Sequence, residues 1–117
     1  SLNALSGHLA VIGDTDGVLY AAGTGKRELF GKSLSAEMDK ILEGRRSYAA
    51  SEAEGGNIVP ITEGGDNATA QVIVPIVSGG DCIGAVALIS TRQGDKIEAA
   101  AAKLAQLSAD ILASQFE

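Results

Sequence analysis

The side chains that could carry chemistry are few. The chain has one histidine, His8, and one cysteine, Cys82. Nucleophilic catalysis needs a cysteine or serine with a base positioned beside it. A Cys82–His8 pair is compatible with the sequence, but no surrounding pattern supports it, and neither residue has a Cys or His at metal-ligand spacing. A lone cysteine at the turn end of an apolar run reads as a small hydrophobe. Asp14-Thr15-Asp16-Gly17 has the opening of a calcium loop, yet Val18 stands where that loop needs an oxygen ligand and Gly25 where it needs an acid. It reads instead as a turn with an Asp-Gly hairpin signal. Gly23-Thr24-Gly25-Lys26-Arg27 looks like a phosphate loop. A Walker loop would need glycine at position 20 and Ser or Thr at 27, where Tyr20 and Arg27 stand. Arg45 and Arg46 follow a helical stretch, where cations suit the negative end of the dipole; holding an anionic ligand is the alternative. Asn67-Ala68-Thr69 is a glycosylation sequon, without meaning in a cytoplasmic protein. These residues give no reason to expect catalysis, a metal or a cofactor.

Composition sets the frame for the elements that position them. At 117 residues the chain is expected to be one domain, 1–117, with 45% hydrophobic and 21% charged residues. The formal charge of −6 argues against direct nucleic-acid binding by this segment. Two Phe, two Tyr and no Trp leave few platforms for stacking bases. A single cysteine fits a reducing cytoplasm. No apolar run reaches the roughly 18 residues of a membrane span, and no signal peptide is visible.

The stretch Ala70–Thr91 organises the fold. Val72–Val77 and Ile83–Ile89 are apolar at nearly every position and flank Ser78-Gly79-Gly80-Asp81. This predicts a hairpin covered on both faces, at the centre of a sheet, with Gly84 marking a bulge or a close backbone approach. A second hairpin is expected from Leu9–Ile12 and Val18–Ala22. A helix follows at Ala36 to about Glu43, capped by Ser33 or Ser35 and stopped by Gly44. Ser47–Ser51 reads as a short strand, and Asn57–Thr62 as another, at an edge because Pro60 lacks an N–H. Segment 1–7 reads as the last turns of a helix or as a frayed end. Segment 24–46 is expected to cover one face of the sheet and the terminal helices the other.

The final helix is expected from Lys96 to about Gln115, capped by Asp95. Ile97, Leu104 and Ile111 recur every seven residues, and Ala100 and Leu107 fill the offset. With Ala101, Ala105, Ala109, Leu112 and Phe116 the apolar stripe exceeds the roughly 100° that packing on one sheet requires. The surplus predicts a seam with a second copy of the chain along Ile97, Ala100, Ala101, Leu104, Leu107 and Ile111, joined by segment 1–6. Deep burial within its own domain is the alternative.

Hairpin, helical crossover, strands, hairpin and long helix make an α+β fold, an antiparallel sheet flanked by helices on both faces, of the PAS and GAF kind. The stretches SGHLAVIGDTDGVLYAAGTGKRELFGKSLS, EGRRSY and VIVPIVSGGDCIGAVALIS, with the long terminal helix, resemble the C-terminal GAF domains of the stage V sporulation protein T family, AbrB-type transcription regulators of spore-forming Firmicutes. The resemblance implies a swapped-hairpin DNA-binding domain upstream of Ser1, so that DNA is a partner only through that domain. It also implies assembly into dimers or tetramers through the flanking helices, and a cytoplasmic location. Related GAF domains with known chemistry differ. The sulfoxide-reducing ones use several cysteines, and bilin-binding ones place His after the attaching Cys, where Ile83 stands. The dispersed Asn-Lys-Phe-Asp signature of the cyclic-nucleotide type is not traceable. The expected function is ligand sensing and oligomerisation in a sporulation regulator. The alternative is a ligand-free assembly domain of roadblock or profilin type. A small molecule, if one binds, is expected between the sheet and segment 24–46, within reach of Tyr20, Arg46 and Tyr48. The plainer alternative is that the tyrosines pack and Arg46 is solvated.

Overall fold

The computed structural model describes residues 8–23 and 26–116. The helical expectation for segment 1–7 lies outside the described residues. Strands β1 (Leu9–Gly13), β2 (Val18–Ala22), β3 (Tyr48–Ser51), β4 (Ala70–Ser78) and β5 (Asp81–Ser90) form one antiparallel sheet in the order β2-β1-β5-β4-β3. Helices α1 (Lys26–Leu29), α2 (Ala36–Gly44) and α3 (Ala99–Ser114) cover it.

The β4–β5 hairpin is the centre, as its two-sided apolar sequence requires. Gly79 and Gly80 have φ of 60° and 85°, and Ser78 pairs with Asp81 across them. Two positive φ values in a two-residue loop match the twist of the strands, which is why glycines stand there. Side chains then alternate. Val72, Val74, Ile76, Val86 and Leu88 point to the α3 face. Ile73, Ala85, Ala87 and Ile89 point to the α1–α2 face. Every one of these is buried, so a shift of one residue would exchange two different packed faces.

Gly84 marks both a close approach and the edge of a bulge: Ile76 pairs with Gly84 and Val77 with Cys82, so Ile83 on β5 is the extra residue. A methyl group on Gly84 would sit 2.1 Å from the Gly13 carbonyl oxygen, and one on Gly13 would sit 2.7 Å from that of Gly17. These two glycines let the first hairpin's turn fold tightly over β5. Asp14 fixes that turn by accepting from the N–H groups of Asp16 at 2.8 Å and Gly17 at 2.9 Å.

The α1–α2 face is closed by side chains from several segments. Ser35 caps α2 by accepting from the Met38 N–H at 3.0 Å and donates its own proton to the Pro60 carbonyl. The helix runs through Gly44 instead of stopping before it. Arg45 takes the left-handed conformation (φ 55°), and its N–H returns to the Leu42 carbonyl at 3.1 Å. Residues 57–62 are not a strand. Val59 pairs with the buried side chain of Gln71, whose amide accepts from the Val59 N–H at 2.8 Å and donates to its carbonyl at 2.7 Å. One amide thus stands in for a strand's ladder. Only Thr62 makes a bridge, to Leu34. The four-residue helix α1 was not legible, because one turn leaves no periodicity.

The last helix starts at Ala99, three residues later than expected, with Glu98 at its cap and no side-chain cap bond. Asp95 serves the preceding turn instead. Its carboxylate accepts from the Ser90 hydroxyl and, at 2.9 Å, from the Lys96 N–H.

Two tests follow from this geometry. Gly84→Ala forces a methyl into the Gly13 carbonyl and is expected to lower the urea midpoint by an amount equivalent to several kcal/mol; a midpoint within error of the parent would contradict the close approach. The second concerns acid. The Gly17 and Asp16 N–H groups hold the Asp14 carboxyl below its ordinary range, and the Ser90 hydroxyl and Lys96 N–H do the same for Asp95. A carboxylate whose folded pKa is depressed stabilises the fold above the unfolded value and loses that contribution as pH falls through the folded one. Thermal stability should therefore begin to drop only as pH falls below about 4. Asp14→Asn combined with Asp95→Asn should flatten that acid limb; an unchanged limb would refute the assignment.

Candidate functional site

The outer face of α3 is built by what its inner face does. Ala101, Ala105, Ala109 and Ala113 recur every four residues and are buried against Val72, Val74, Ile76, Val86 and Leu88. Alanine has high helix propensity and no bulk, so the helix lies close to β4 and β5. The large side chains must then occupy other positions. Leu107 and Ile111 are 55% and 54% exposed, and Leu104 is half-buried. With exposed Ala100 they follow i, i+4, i+7, i+11 spacing and form one outward stripe. Phe116, just past the helix, is 69% exposed.

Of the six residues expected along the seam, four therefore lie on this stripe. Ala101 does not: it is 3% exposed and packs on the chain's own sheet. Ile97 precedes the first turn of α3 and is half-buried against the same cluster. The widened apolar stripe merged two faces: Ala101 belongs to the row that packs on the chain's own sheet, and Ile97 lies before the helix begins.

Tyr20, Arg46 and Tyr48 are not brought together. Tyr20 is on β2 and Tyr48 on β3, the two edges of the sheet, four strand spacings or about 19 Å apart. They also face opposite ways. Tyr20 pairs with Ile12, which packs on the α3 side, whereas Tyr48 pairs with Ile73 on the α1–α2 side. The Tyr48 hydroxyl donates to the Asn57 carbonyl at 2.6 Å, and Arg46 is exposed. The neighbouring Arg45 carries the structural contact, its Nε donating to the Gly80 carbonyl at 2.7 Å and so tying the end of α2 to the central turn.

Between the sheet and its α1–α2 cover, the space is filled by Leu29, Met38, Ile61 and Ile73, each at most 1% exposed. One surface cleft on that side has a volume of about 690 Å³. Glu28, residues 31–33 and residues 62–67 line it, among them Lys32, Ser33, Thr62, Glu63 and Asp66. The Leu34–Thr62 bridge and a 3.1 Å bond from the Glu63 N–H to the Ser33 carbonyl hold its two walls together. Asp66 stiffens the loop by accepting from the N–H groups of Ile61 and Ala68. Isolated polar residues in 62–67 gave no sequence signal for this cleft, since the walls meet only through the tertiary bridge.

His8 and Cys82 sit at opposite ends of the sheet. Leu9 pairs with Ile89, so His8 lies near the end of β5, about 24 Å along the strand from Cys82 at its start. His8 is buried beside Glu98, with Nε2 3.3 Å from one carboxylate oxygen, and Cys82 donates to the Gly84 carbonyl. This separation rules out a Cys82–His8 catalytic pair. Among the described residues no group of three or more His, Cys, Asp or Glu is placed to hold a metal ion, and no helix is long and apolar enough to cross a membrane.

No curated protein matches the chain in sequence. Among solved structures, residues 122 to 287 of a methyl-accepting chemotaxis protein superpose with a TM-score of 0.78 at 20% identity, covering 98% of this chain and 81% of that one. A type II free methionine-R-sulfoxide reductase from Thermoplasma acidophilum gives a TM-score of 0.67 at 9% identity, covering 97% and 82%. At these identities the likeness shows the fold alone, a GAF-like α+β sheet. The sequence model described as "Stage V sporulation protein T C-terminal, transcription factor" matches residues 1–117. The chain therefore belongs to the stage V sporulation protein T C-terminal family, a regulatory domain of a sporulation transcription factor.

Proposed function

We propose that this domain regulates by self-association, with the outward stripe of α3 as the surface that meets a second copy. The observation that carries the reading is the exposure of Leu107 and Ile111 on a helix whose opposite face is already buried on its own sheet. Burying Leu104, Leu107 and Ile111 between copies contributes about 1.5–3 kcal/mol each. Association costs roughly 4–15 kcal/mol. The three residues alone therefore support a weak pair. Phe116, and Tyr20 on the same sheet face as α3, are exposed apolar surface available to strengthen it. Pairing would bring together DNA-binding domains carried elsewhere in such regulators, in the cytoplasm, without this acidic domain touching DNA.

A second reading concerns input. Ligand sensing is supported by the cleft between 28–33 and 62–67, whose lining mixes Lys32 with Glu28, Glu63 and Asp66 and suits a small polar molecule. A molecule bridging those walls would tighten the cover of the sheet. Without such a molecule the domain is an assembly module of the roadblock or profilin kind.

Sedimentation of the parent chain and of Leu107→Glu tests the first reading. A reversible dimer in the parent, lost in a variant with unchanged circular dichroism, is expected. A parent that stays monomeric at high micromolar concentration would contradict it. For the second, a metabolite panel screened by thermal shift should include a compound that stabilises the domain, by about 2.7 kcal/mol at 100 times its Kd. Lys32→Ala should weaken that effect. If no compound moves the midpoint, the assembly reading without a ligand stands.

A further inference from the structure

We infer that α3 pairs with the α3 of a second copy in antiparallel orientation, so that Lys103 of each faces Asp110 of the other. This rests on the self-association reading and specifies its geometry. The stripe Ala100, Leu104, Leu107, Ile111 has two flanks. On one, Ala101 is buried against the chain's own sheet and Ser108 is half-buried, and neither carries charge. On the other, Lys103 and Asp110 are both exposed and stand seven residues apart. Gln106 Nε2 donates to Asp110 Oδ1 at 2.9 Å and holds the carboxylate on that flank.

Orientation decides which flanks meet. In a parallel pair the two-fold axis runs along the helices, and each charged flank meets the neutral flank of the other copy. In an antiparallel pair the axis crosses the helices, and each charged flank meets its own kind. With the axis near Leu107, Lys103 precedes the centre by four residues and Asp110 follows it by three. Lys103 of each copy then lies opposite Asp110 of the other, giving two ion pairs. Flanking charges of this kind set partner orientation in helical pairs. The order of a cation and then an anion along one flank complements itself only when one helix is reversed.

Cross-linking separates orientation from association. In a Cys82→Ser background, Leu107→Cys should form a disulfide-linked dimer on oxidation, because Leu107 lies near the axis. Ala100→Cys alone should form none: antiparallel pairing places two such positions about 21 Å apart along the helices, against a limit of about 7 Å between bridged Cα atoms. A mixture of Ala100→Cys and Ser114→Cys chains should yield the mixed disulfide. As a second measurement, Lys103→Glu should weaken the dimer by about 2- to 30-fold at low salt, and Lys103→Glu with Asp110→Lys should restore it. A dimer linked at Leu107→Cys that also links through Ala100→Cys alone overturns the antiparallel assignment and leaves self-association standing. No link at any position, with a monomer in sedimentation, overturns both.

Discussion

The structure depends on how closely α3 can lie on the sheet. Ala101, Ala105, Ala109 and Ala113 have methyl groups where a typical amphipathic helix would place leucines. A leucine in this row would lift the helix from Val74 and Leu88, which are at most 2% exposed. Because the inner row is small, the bulk of the helix's apolar surface is Leu104, Leu107 and Ile111, and it faces away. Such a helix is stable on its own sheet only while those side chains tolerate water, or a second surface removes them from it. A packing choice on one face therefore creates the chemistry of the other.

The central hairpin imposes the same requirement on both layers. β4 and β5 are buried on both sides, so neither cover can be lost without exposing a row of apolar side chains. On the α1–α2 side the cover is irregular backbone, which burial permits only if its polar groups are satisfied. Gln71 does this for Val59, and Asp66 for Ile61 and Ala68. With Leu29, Met38 and Ile61 filling the interior, a small molecule would meet the domain at the outer cleft and act by tightening the loops that form the cover.

The sequence made some of this plain and hid the rest, for physical reasons. Both hairpins were legible because their turns need positive φ angles or Asp-Gly chemistry and their strands are unbroken apolar runs. At Gly84 both options that a glycine in a core strand allows are realised, the close approach to Gly13 and a bulge at the adjacent Ile83. The strand expected at 57–62 failed because β-branched residues there are recruited by one amide on β4, a contact twelve residues away. Arg45 in a left-handed conformation escaped notice because glycine normally takes that position, and Gly44 beside it drew the inference. The ligand trio failed because Tyr20 and Tyr48 occupy positions whose faces only the strand order reveals. The α3 stripe was half legible. Heptad spacing found Ala100, Leu104, Leu107 and Ile111, whereas Ala101 entered only as a small residue on a widened stripe, and small size serves packing on the chain's own sheet equally well.

The central claim is that α3 spends its alanine face on its own sheet and its leucine–isoleucine face on another chain. A dilution series of methyl NMR spectra tests this most directly, because it reads both faces in one sample. The account predicts that the methyl resonances of Leu104, Leu107 and Ile111 move with concentration while those of Val72, Val74 and Leu88 stay fixed. Spectra that do not change with concentration, or changes centred on the sheet-facing residues, would contradict it.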